Sequence, residues 1–382
     1  MSEKTIQEDP IHEQVKKQAE VETLKQKVQE EELIIRARVA DSKLRIIKEN
    51  DKNTEIAKSI NYGQMSTEEI EKVRRENIEY MESARNKMRF MNKDFDDIVP
   101  FFRKNLILVA GRTGDGKSTT VANIIRETIH NINPKTKKLR RVLVITNEER
   151  VEDVFNRVTC LIKGWDYKNH DKFTEEQIGE FDRYIVALSK MITVIDNNHG
   201  GAIGSTATIE GICLIFDNLI ANKEYYDAVI IDYYQNIMQS RDNPGHAPWQ
   251  VQEALANKLD GYKNVYPSPI VLLAQVNPPD GENKTPFKVR IEGRKSILNV
   301  ATCCMELIAN KEDLVTEWVV HKSRFNGAVG QTIRTGYDRG QYVEWNDEFR
   351  AKVAQWKAKA ETDALNKQVG MLAPKAEETE NE

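Results

Sequence analysis

The pattern of apolar and polar positions divides the chain into three zones. Between about residues 8 and 53 the chain is highly charged, lacks glycine and carries apolar residues at roughly helical spacing, as at Val21, Leu24 and Val28. Glu31 and Glu32 interrupt this apolar stripe. The pattern predicts a long N-terminal helix, either solvated or bound to a partner, and not an independent domain.

A second helix is predicted over residues 66–88, directly after a break that contains Gly63. Ser66 and Glu69 have the spacing of a capping box, in which each side chain bonds the backbone N–H of the other residue. Apolar residues then recur at steps of mainly three or four, which gives the helix one apolar face. Such a face packs either on its own domain or on a neighbouring subunit.

From about residue 94 to residue 345 the pattern changes to short apolar runs separated by amphipathic segments. Continuous apolar runs with helical connections are typical of a parallel sheet covered on both faces. The turn signals Asn326-Gly327 and Arg339-Gly340 predict that the sheet ends in antiparallel hairpins. The runs that we assign to strands are 106–110, 142–146, 191–195, 228–232, 270–275 and 318–321. A last helix follows, and from about Ala364 we expect a disordered acidic tail.

Composition narrows the class of protein. With 382 residues, 40% of them hydrophobic, the chain can form one large or two ordinary domains. A net charge of -4 argues against a protein that is basic overall, but it allows a nucleic-acid binder with cations on one face. No apolar run approaches the ~20 residues of a membrane span. Because a signal peptide is also missing, we expect a cytoplasmic protein without a membrane partner. Four cysteines match no metal motif and are expected to be buried, reduced thiols: Cys160, Cys213, Cys303 and Cys304.

A phosphate-binding loop follows the first predicted strand. Its sequence is Gly111-Arg112-Thr113-Gly114-Asp115-Gly116-Lys117-Ser118, and a helix is predicted from residue 118 to residue 128, so that Thr119 lies in its first turn. The glycines let several N–H groups point into one concavity, and the helix N-terminus adds its positive dipole end. Lys117 supplies charge for the β- and γ-phosphates, and Ser118 a hydroxyl for Mg²⁺. The chain is therefore expected to bind and hydrolyse a nucleoside triphosphate through residues 111–119.

Polar residues at the ends of three other strands complete the candidate chemistry. Asp232 ends an apolar strand, where an unpaired carboxylate is costly, and is the candidate second anchor for Mg²⁺. Glu148 follows a strand that we take to be adjacent to the phosphate loop. It is our choice for the base that orients the attacking water, with Glu149 as the competitor. Gln275 ends a further strand and could bond the γ-phosphate.

Taken in order, these segments resemble the RecA-like ATPase domain of the DnaB family of replicative ring helicases, over about residues 92–345. That family has a Glu after its second core strand and an Arg nine residues later, which Glu148 and Arg157 match. Its later motifs are Asp-Tyr-x-Gln, Gln-x-Asn and Lys-x-Arg before Asn-Gly. These are matched by Asp232-Tyr233-Tyr234-Gln235, Gln275-Val276-Asn277 and Lys322-Ser323-Arg324-Phe325-Asn326-Gly327.

The resemblance implies an α/β fold, a RecA-like P-loop ATPase with a mainly parallel sheet flanked by helices and preceded by long N-terminal helices. ATP and Mg²⁺ would be its cofactors. Glu148 would be the catalytic base and Gln275 the γ-phosphate sensor. Lys322 and Arg324 would be cationic fingers on the γ-phosphate of the neighbouring subunit. The chain would form a homo-oligomer, a hexamer, and move 5′→3′ on single-stranded DNA as a replicative helicase.

The resemblance also implies DNA-facing loops after the strands that end at Asp232 and Gln275. Contacts to backbone phosphates would make DNA binding salt-sensitive and largely independent of sequence. The first candidate segment, residues 288–296, is locally basic, and the second, residues 241–249, contains His246 and Trp249. The DNA contacts that we select are Arg290, Arg294, Lys295 and Ser296.

Two features depart from the family pattern. Ile297 stands where the family has a glycine, and the N-terminal region does not resemble the family's globular N-terminal domain. We divide the chain into a helical arm (1–60), a linker helix (61–91), the ATPase domain (92–348) and a C-terminal helix with its tail (349–382). The arm is a candidate surface for a primase or a loader. Two other functions stay open: a RecA-like recombinase or filament ATPase, and a nucleotide-gated helicase-loading or assembly protein.

Overall fold

A computed structural model describes residues 65–197, 206–237, 239–240, 242–278, 286–291 and 296–372, with side chains up to residue 363. The helical arm predicted for residues 1–60 lies outside these residues. The chain divides into two compact units, Met1–Glu76 and Asn77–Glu382. The first is described only from Met65, and the second contains all the predicted chemistry.

Strands and helices alternate along the described chain. The strands are β1 (Leu106–Gly111), β2 (Val142–Thr146), β3 (Ile192–Ile195), β4 (Ala228–Asp232), β5 (Ile270–Gln275), β6 (Cys303–Asn310), β7 (Val315–Ser323), β8 (Thr332–Asp338) and β9 (Gln341–Glu344). The helices are α1 (Thr67–Arg85), α2 (Lys117–Ile129), α3 (Val151–Lys163), α4 (Glu175–Leu188), α5 (Ile209–Ala221), α6 (Pro248–Val265), α7 (Phe287–Arg290), α8 (Ser296–Val300) and α9 (Asp347–Leu372).

The strands form one sheet in the order β3-β2-β4-β5-β1-β6-β7-β8-β9. The pairs from β3 to β6 are parallel, and those from β6 to β9 are antiparallel. The predicted fold class is confirmed, including the terminal hairpins at Asn326-Gly327 and Arg339-Gly340. The expected position of β2 is wrong, because β4 and β5 lie between it and β1. The turn after β2 therefore faces Asp232 and not the phosphate-loop strand.

Two apolar layers cover the sheet. Successive side chains of a strand point to opposite faces, so Ile107 and Val109 pack with α2 and α3, whereas Leu106 and Leu108 pack with α5 and α6. Both faces are buried, which is why the strands read as continuous apolar runs. The sheet thus holds its carboxyl edge rigidly, and the functional residues lie on that edge.

β6 is a central strand that the hydrophobic pattern did not reveal. Cys303 and Cys304 lie on opposite faces of it, and both are fully buried. The prediction of buried free thiols is confirmed for these two and for Cys160, whereas Cys213 is only half-buried. At the C-terminus the expected start of the tail at Ala364 is wrong. α9 continues to Leu372, because this stretch consists mostly of good helix formers.

α1 has the predicted capping box but an uncovered apolar face. Ser66 N donates to Glu69 Oε2 (2.8 Å), and Glu69 N donates to Ser66 Oγ (3.2 Å). Four apolar side chains of this helix are about half exposed, at 47–56%: Ile70, Val73, Ile78 and Met81. None of the described helices is long and apolar enough to cross a membrane.

Candidate active site

The phosphate loop joins β1 to α2 in a conformation that requires glycine. Gly114 and Gly116 have φ angles of 82° and 109°, in the left-handed region. A Cβ on Gly116 would also lie 2.7 Å from Tyr342 Oη, so a side chain has no space there. Asp115 closes the loop by accepting hydrogen bonds from the backbone N–H (3.1 Å) and Nε (3.2 Å) of Arg112.

Lys117 begins α2, and its ammonium group lies over the loop. Nζ donates to the carbonyl oxygens of Gly111 and Arg112, both at 3.2 Å. This places a positive charge beside the N-terminal end of a helix, where phosphate oxygens bind favourably. Ser118 follows in the first helical turn, within the same concavity that the loop forms.

The turn between β8 and β9 supports α2 from below. Asn123 Nδ2 donates to the carbonyl oxygens of Thr119 and Gly340, both at 2.8 Å, and Asn123 Oδ1 accepts from the backbone N–H of Tyr342 at 3.0 Å. Tyr342 Oη is bonded to Gly116 O at 3.3 Å. No local motif in the sequence points to these residues, because they join segments about 220 positions apart.

The predicted site residues at strand ends do lie on one edge of the sheet. Thr146 at the end of β2 is paired with Asp232 at the end of β4. Gln275 at the end of β5 is paired with Gly111, the first residue of the phosphate loop. The edge therefore presents, in order, the turn with Glu148, then Asp232, then Gln275 and then the loop.

Asp232 is a buried carboxylate with an unsatisfied oxygen. It is 2% exposed, and its Oδ1 has no hydrogen-bond partner among the described residues. Burial, followed by the charges of Glu149 and Glu148, raises the pKa of Asp232 to about 7, although Lys117 and Arg157 act in the opposite direction. A divalent cation would satisfy this oxygen. Asp232 and Ser118 therefore fit the Mg²⁺ that accompanies a nucleoside triphosphate.

The two glutamates after β2 have different environments. Arg157 Nη2 donates to Glu149 Oε1 at 2.7 Å, and the guanidinium lies 4.8 Å from the centre of the Tyr167 ring. Glu148 is exposed and makes no side-chain hydrogen bond or ion pair with the part of the chain that the structure describes. A paired carboxylate is held away from a water molecule, which favours Glu148 over Glu149 as the base. The assignment stays a prediction.

Two side-chain amides connect neighbouring strand ends. Asn147 bonds both the backbone N–H (3.1 Å) and the carbonyl oxygen (3.2 Å) of Tyr233, directly after Asp232. Gln235 bonds the N–H (2.9 Å) and the carbonyl oxygen (3.1 Å) of Gln275 in the same way. These amides act as extra rungs of the sheet and fix the spacing of the site. We assigned neither a role of its own, although an amide directly after an apolar strand is a detectable signal.

A cavity of about 240 Å³ opens beside the phosphate loop. It could hold the base and ribose of a nucleotide whose phosphates lie in the loop. Besides the loop, its lining includes Thr119, Lys168, Asn310, Lys311 and Tyr337. These residues come from four separate segments, so the sequence alone does not group them.

Lys322 lies far from the phosphate loop of its own chain. β6 is parallel to β1, with Leu307 beside Gly111 and Cys304 beside Leu108. β7 is antiparallel to β6 and places Lys322 beside Cys304. Lys322 is thus two strands from Gly111 and about 10 Å lower along the strand direction, at ~3.3 Å per residue.

Arg324 lies still further from the loop, at the amino end of β1. Its backbone N–H donates to Thr302 O at 2.8 Å, and Thr302 N donates to Leu106 O at 2.8 Å. Both cationic side chains bond carbonyl oxygens of α8: Lys322 Nζ those of Leu298 and Asn299, and Arg324 Nη2 that of Asn299. Neither cation can serve the nucleotide site of its own chain in this arrangement.

Comparison with known proteins places the chain in a family. A family model described as the DnaB-like helicase C-terminal domain matches residues 87–341, more than half of the chain. The chain belongs to this family. A comparison with curated proteins found no match by sequence.

Solved structures show the same fold. One, the ATPase domain of a phage helicase, has a TM-score of 0.57 and 14% identity, covering 75% of this chain and 100% of that chain. Another, described as a DnaB-like replicative helicase and its interactions with primase, has a TM-score of 0.55 and 15% identity. That likeness covers 81% of this chain and 76% of the other. The DnaB-like family and the RecA-like fold expected from the motifs are therefore confirmed.

The candidate DNA contacts of this DnaB-like domain are only partly described. Arg294 and Lys295 lie outside the described residues, as does Arg241 of the second loop. Ser296 begins α8, and Ile297, in place of the family's glycine, is fully buried against the sheet. In the second loop, Trp249 is 48% exposed. The exposed ring is suited to stacking on a base.

Arg290 differs from the expectation for a DNA contact. Its guanidinium is bonded to Glu306 at 2.7 Å, and the side chain is only 12% exposed. A guanidinium held in a buried ion pair is not presented to a phosphate. Its DNA-binding role stays a prediction that this arrangement does not favour.

Replacing Asp232 by asparagine should stabilise the nucleotide-free protein and remove its stabilisation by Mg·ATP. The pKa of Asp232 rises from 3.8 to about 7 on folding. Ionisation of the buried carboxylate therefore lowers stability progressively between about pH 4 and pH 7, and asparagine does not ionise. Above pH 7 we expect a gain of roughly 1–3 kcal/mol, measured as a rise in Tm at pH 8 that is small at pH 4.

The exposed Asp182 offers a matched control, since Asp182→Asn should change neither property. The assignment of Asp232 to Mg²⁺ fails if Mg·ATP raises the Tm of Asp232→Asn as much as that of the wild type.

Proposed function

We propose that the chain is the subunit of an ATP-driven DNA helicase that forms a homohexameric ring and hydrolyses Mg·ATP between neighbouring subunits. The observation that supports this most strongly is the separation of two half-sites. Asp232, Glu148 and Gln275 surround the phosphate loop at one edge of the sheet. Lys322 and Arg324 lie near the other end of the strands.

In the proposed mechanism the phosphate loop binds the triphosphate, and Lys117 neutralises its β- and γ-oxygens. Ser118 and Asp232 hold Mg²⁺, which neutralises phosphate charge as it develops. Glu148 accepts a proton from the attacking water. The side chain of Gln275, one strand from Gly111, bonds the γ-phosphate, while Gln235 fixes its backbone.

The second half of the site would come from a neighbouring copy. Spread negative charge in the transition state is stabilised by cations, and those of the same chain are out of reach. A head-to-tail interface brings the Lys322 edge of one copy to the phosphate loop of the next, and repetition of it closes a ring. The exposed apolar face of α1, defined by Ile70, Val73, Ile78 and Met81, fits a second copy of this chain.

The proposed track is single-stranded DNA, bound by the loops after β4 and β5. Trp249 and Lys288 are exposed on these segments and supply a stacking ring and a cation. The 5′→3′ direction and a cytoplasmic location are proposed from the family alone. Because the DnaB-like helicase named above interacts with primase, we propose residues 1–60 as the surface for a primase or loader.

One set of measurements tests the proposal against its alternatives. With ATP and single-stranded DNA, electron micrographs should show rings, hydrolysis should be stimulated by the DNA, and forked duplexes with a 5′ tail should be unwound. Open filaments without unwinding would instead identify a recombinase-like ATPase. Hydrolysis that ignores DNA, with no ring, would favour a loading or assembly protein.

A further inference from the structure

A buried polar cluster lies beneath the segment that follows β5. Glu306 on β6 is 5% exposed and receives hydrogen bonds from Arg290 Nη2 (2.7 Å) and His321 Nε2 (2.8 Å). The rings of His321 and Phe287 are stacked, with centroids 4.0 Å apart and planes 2° from parallel. We call Glu306, Arg290, His321 and Phe287 the bracket, since they connect residues 286–291 to the sheet.

The bracket also connects this segment to the end of β5. Arg290 Nη1 donates to Asn277 O at 3.3 Å, and Asn277 N donates to Arg290 O at 2.8 Å. Val276 and Ile291 form a single antiparallel bridge. Residues 286–291 are thus bonded to the two residues that directly follow Gln275, the proposed γ-phosphate sensor.

Both strands of the bracket lead to parts of the proposed catalytic site. Glu306 is paired with Ala110, the residue before Gly111 of the phosphate loop. His321 precedes Lys322, one of the proposed trans cations. A shift of residues 286–291 would therefore be felt next to Gln275, next to the phosphate loop and next to Lys322.

Stability alone is a weak reason for this arrangement. A buried ion pair seldom stabilises more than apolar packing of the same volume, but the loss of one partner leaves an uncompensated charge. Burial by itself would raise the pKa of Glu306, yet the hydrogen bonds from His321 and Arg290 hold it below its ordinary value. The carboxylate thus stays ionised and keeps both partners, which gives the segment one defined position.

We propose that Glu306 is a positioning residue that, through Arg290 and His321, couples occupation of the segment after β5 by single-stranded DNA to ATP hydrolysis. This rests on the proposed function, in which that segment faces DNA. It assigns Arg290 to the interior as an anchor. The exposed Lys288, two residues earlier, is then the cation available to DNA phosphate.

The experiment compares Glu306→Gln, Arg290→Gln and Lys288→Gln in the full-length protein. Hydrolysis is measured without DNA and with saturating oligo(dT), and oligo(dT) affinity is measured as a function of salt. Glu306→Gln should keep the DNA-independent rate but lose at least about fivefold of the DNA stimulation. Arg290→Gln should lose stimulation to the same extent, and neither should change the slope of log K against log salt.

Lys288→Gln provides the contrast. Loss of a direct phosphate contact should reduce the salt slope by about 0.7 for each contact removed, with stimulation retained at saturating DNA. The double variant Glu306→Gln/Arg290→Gln should be no worse than either single variant, because both remove the same ion pair. Arg290→Gln breaks that pair from the opposite partner and provides the same test if Glu306→Gln does not fold.

Each outcome separates the two proposals. If oligo(dT) stimulates Glu306→Gln or a folded Arg290→Gln as strongly as the wild type, the positioning role is wrong while the helicase proposal stands. A reduced salt slope in Arg290→Gln makes Arg290 a DNA contact and overturns the inference. If the wild type itself binds no oligo(dT), or is not stimulated by it, the proposed function fails and takes the coupling role with it.

Discussion

Lys117→Ala should reduce ATP hydrolysis by at least about a hundredfold, the usual effect of removing one group that stabilises developing charge. The Lys117 ammonium lies within 3.2 Å of the loop carbonyls of Gly111 and Arg112, at the start of α2. Alanine is a good helix former, so the helix should persist while the charge is lost. Phosphate release at saturating Mg·ATP measures the effect.

Lys138→Ala is the matched control for Lys117→Ala. Lys138 is exposed and its side chain bonds no other described residue, so hydrolysis should be unchanged. Circular dichroism and the melting temperature show whether both variants are folded. Turnover by a folded Lys117→Ala protein close to the wild-type rate would contradict the assignment of the phosphate loop as the catalytic site.

A mixture of Arg324→Ala and Glu148→Ala subunits should hydrolyse ATP although each variant alone is inactive. If sites form between copies, an Arg324→Ala subunit keeps an intact loop and base, and a Glu148→Ala neighbour supplies the cation. Random mixing at equal amounts restores about a quarter of the interfaces in a ring with head-to-tail contacts. Hydrolysis measured against the mixing ratio should be highest near equal amounts.

The control mixture combines Lys117→Ala with Glu148→Ala. Both residues belong to the same half-site, on the phosphate-loop edge of one chain, so no arrangement of neighbours can restore a complete site. This mixture should stay inactive at every ratio. If the Arg324→Ala mixture also never exceeds its components, Arg324 does not act in trans.

The local chemistry of the site could be predicted because it depends on short stretches of chain. The loop needs glycine where φ is 82° and 109°, and this requirement is visible at Gly114 and Gly116 in the sequence. Asp232 and Gln275 follow apolar runs, and parallel strands bring their carboxyl ends to one edge. The choice between Glu148 and Glu149 was less certain from sequence, since it depends on where the Arg157 side chain lies.

By itself the sequence determined the strand and helix segments, the phosphate loop and the family. These follow from apolar periodicity and backbone requirements within a few residues. Only the tertiary structure decided that β2 lies beyond β4 and β5, that β6 is a central strand, and that Lys322 lies away from its own loop. It also brought Arg290 to Glu306. Strand order and buried ion pairs arise from hydrogen bonds between distant segments, and no local pattern of residues encodes which of the possible pairs will form.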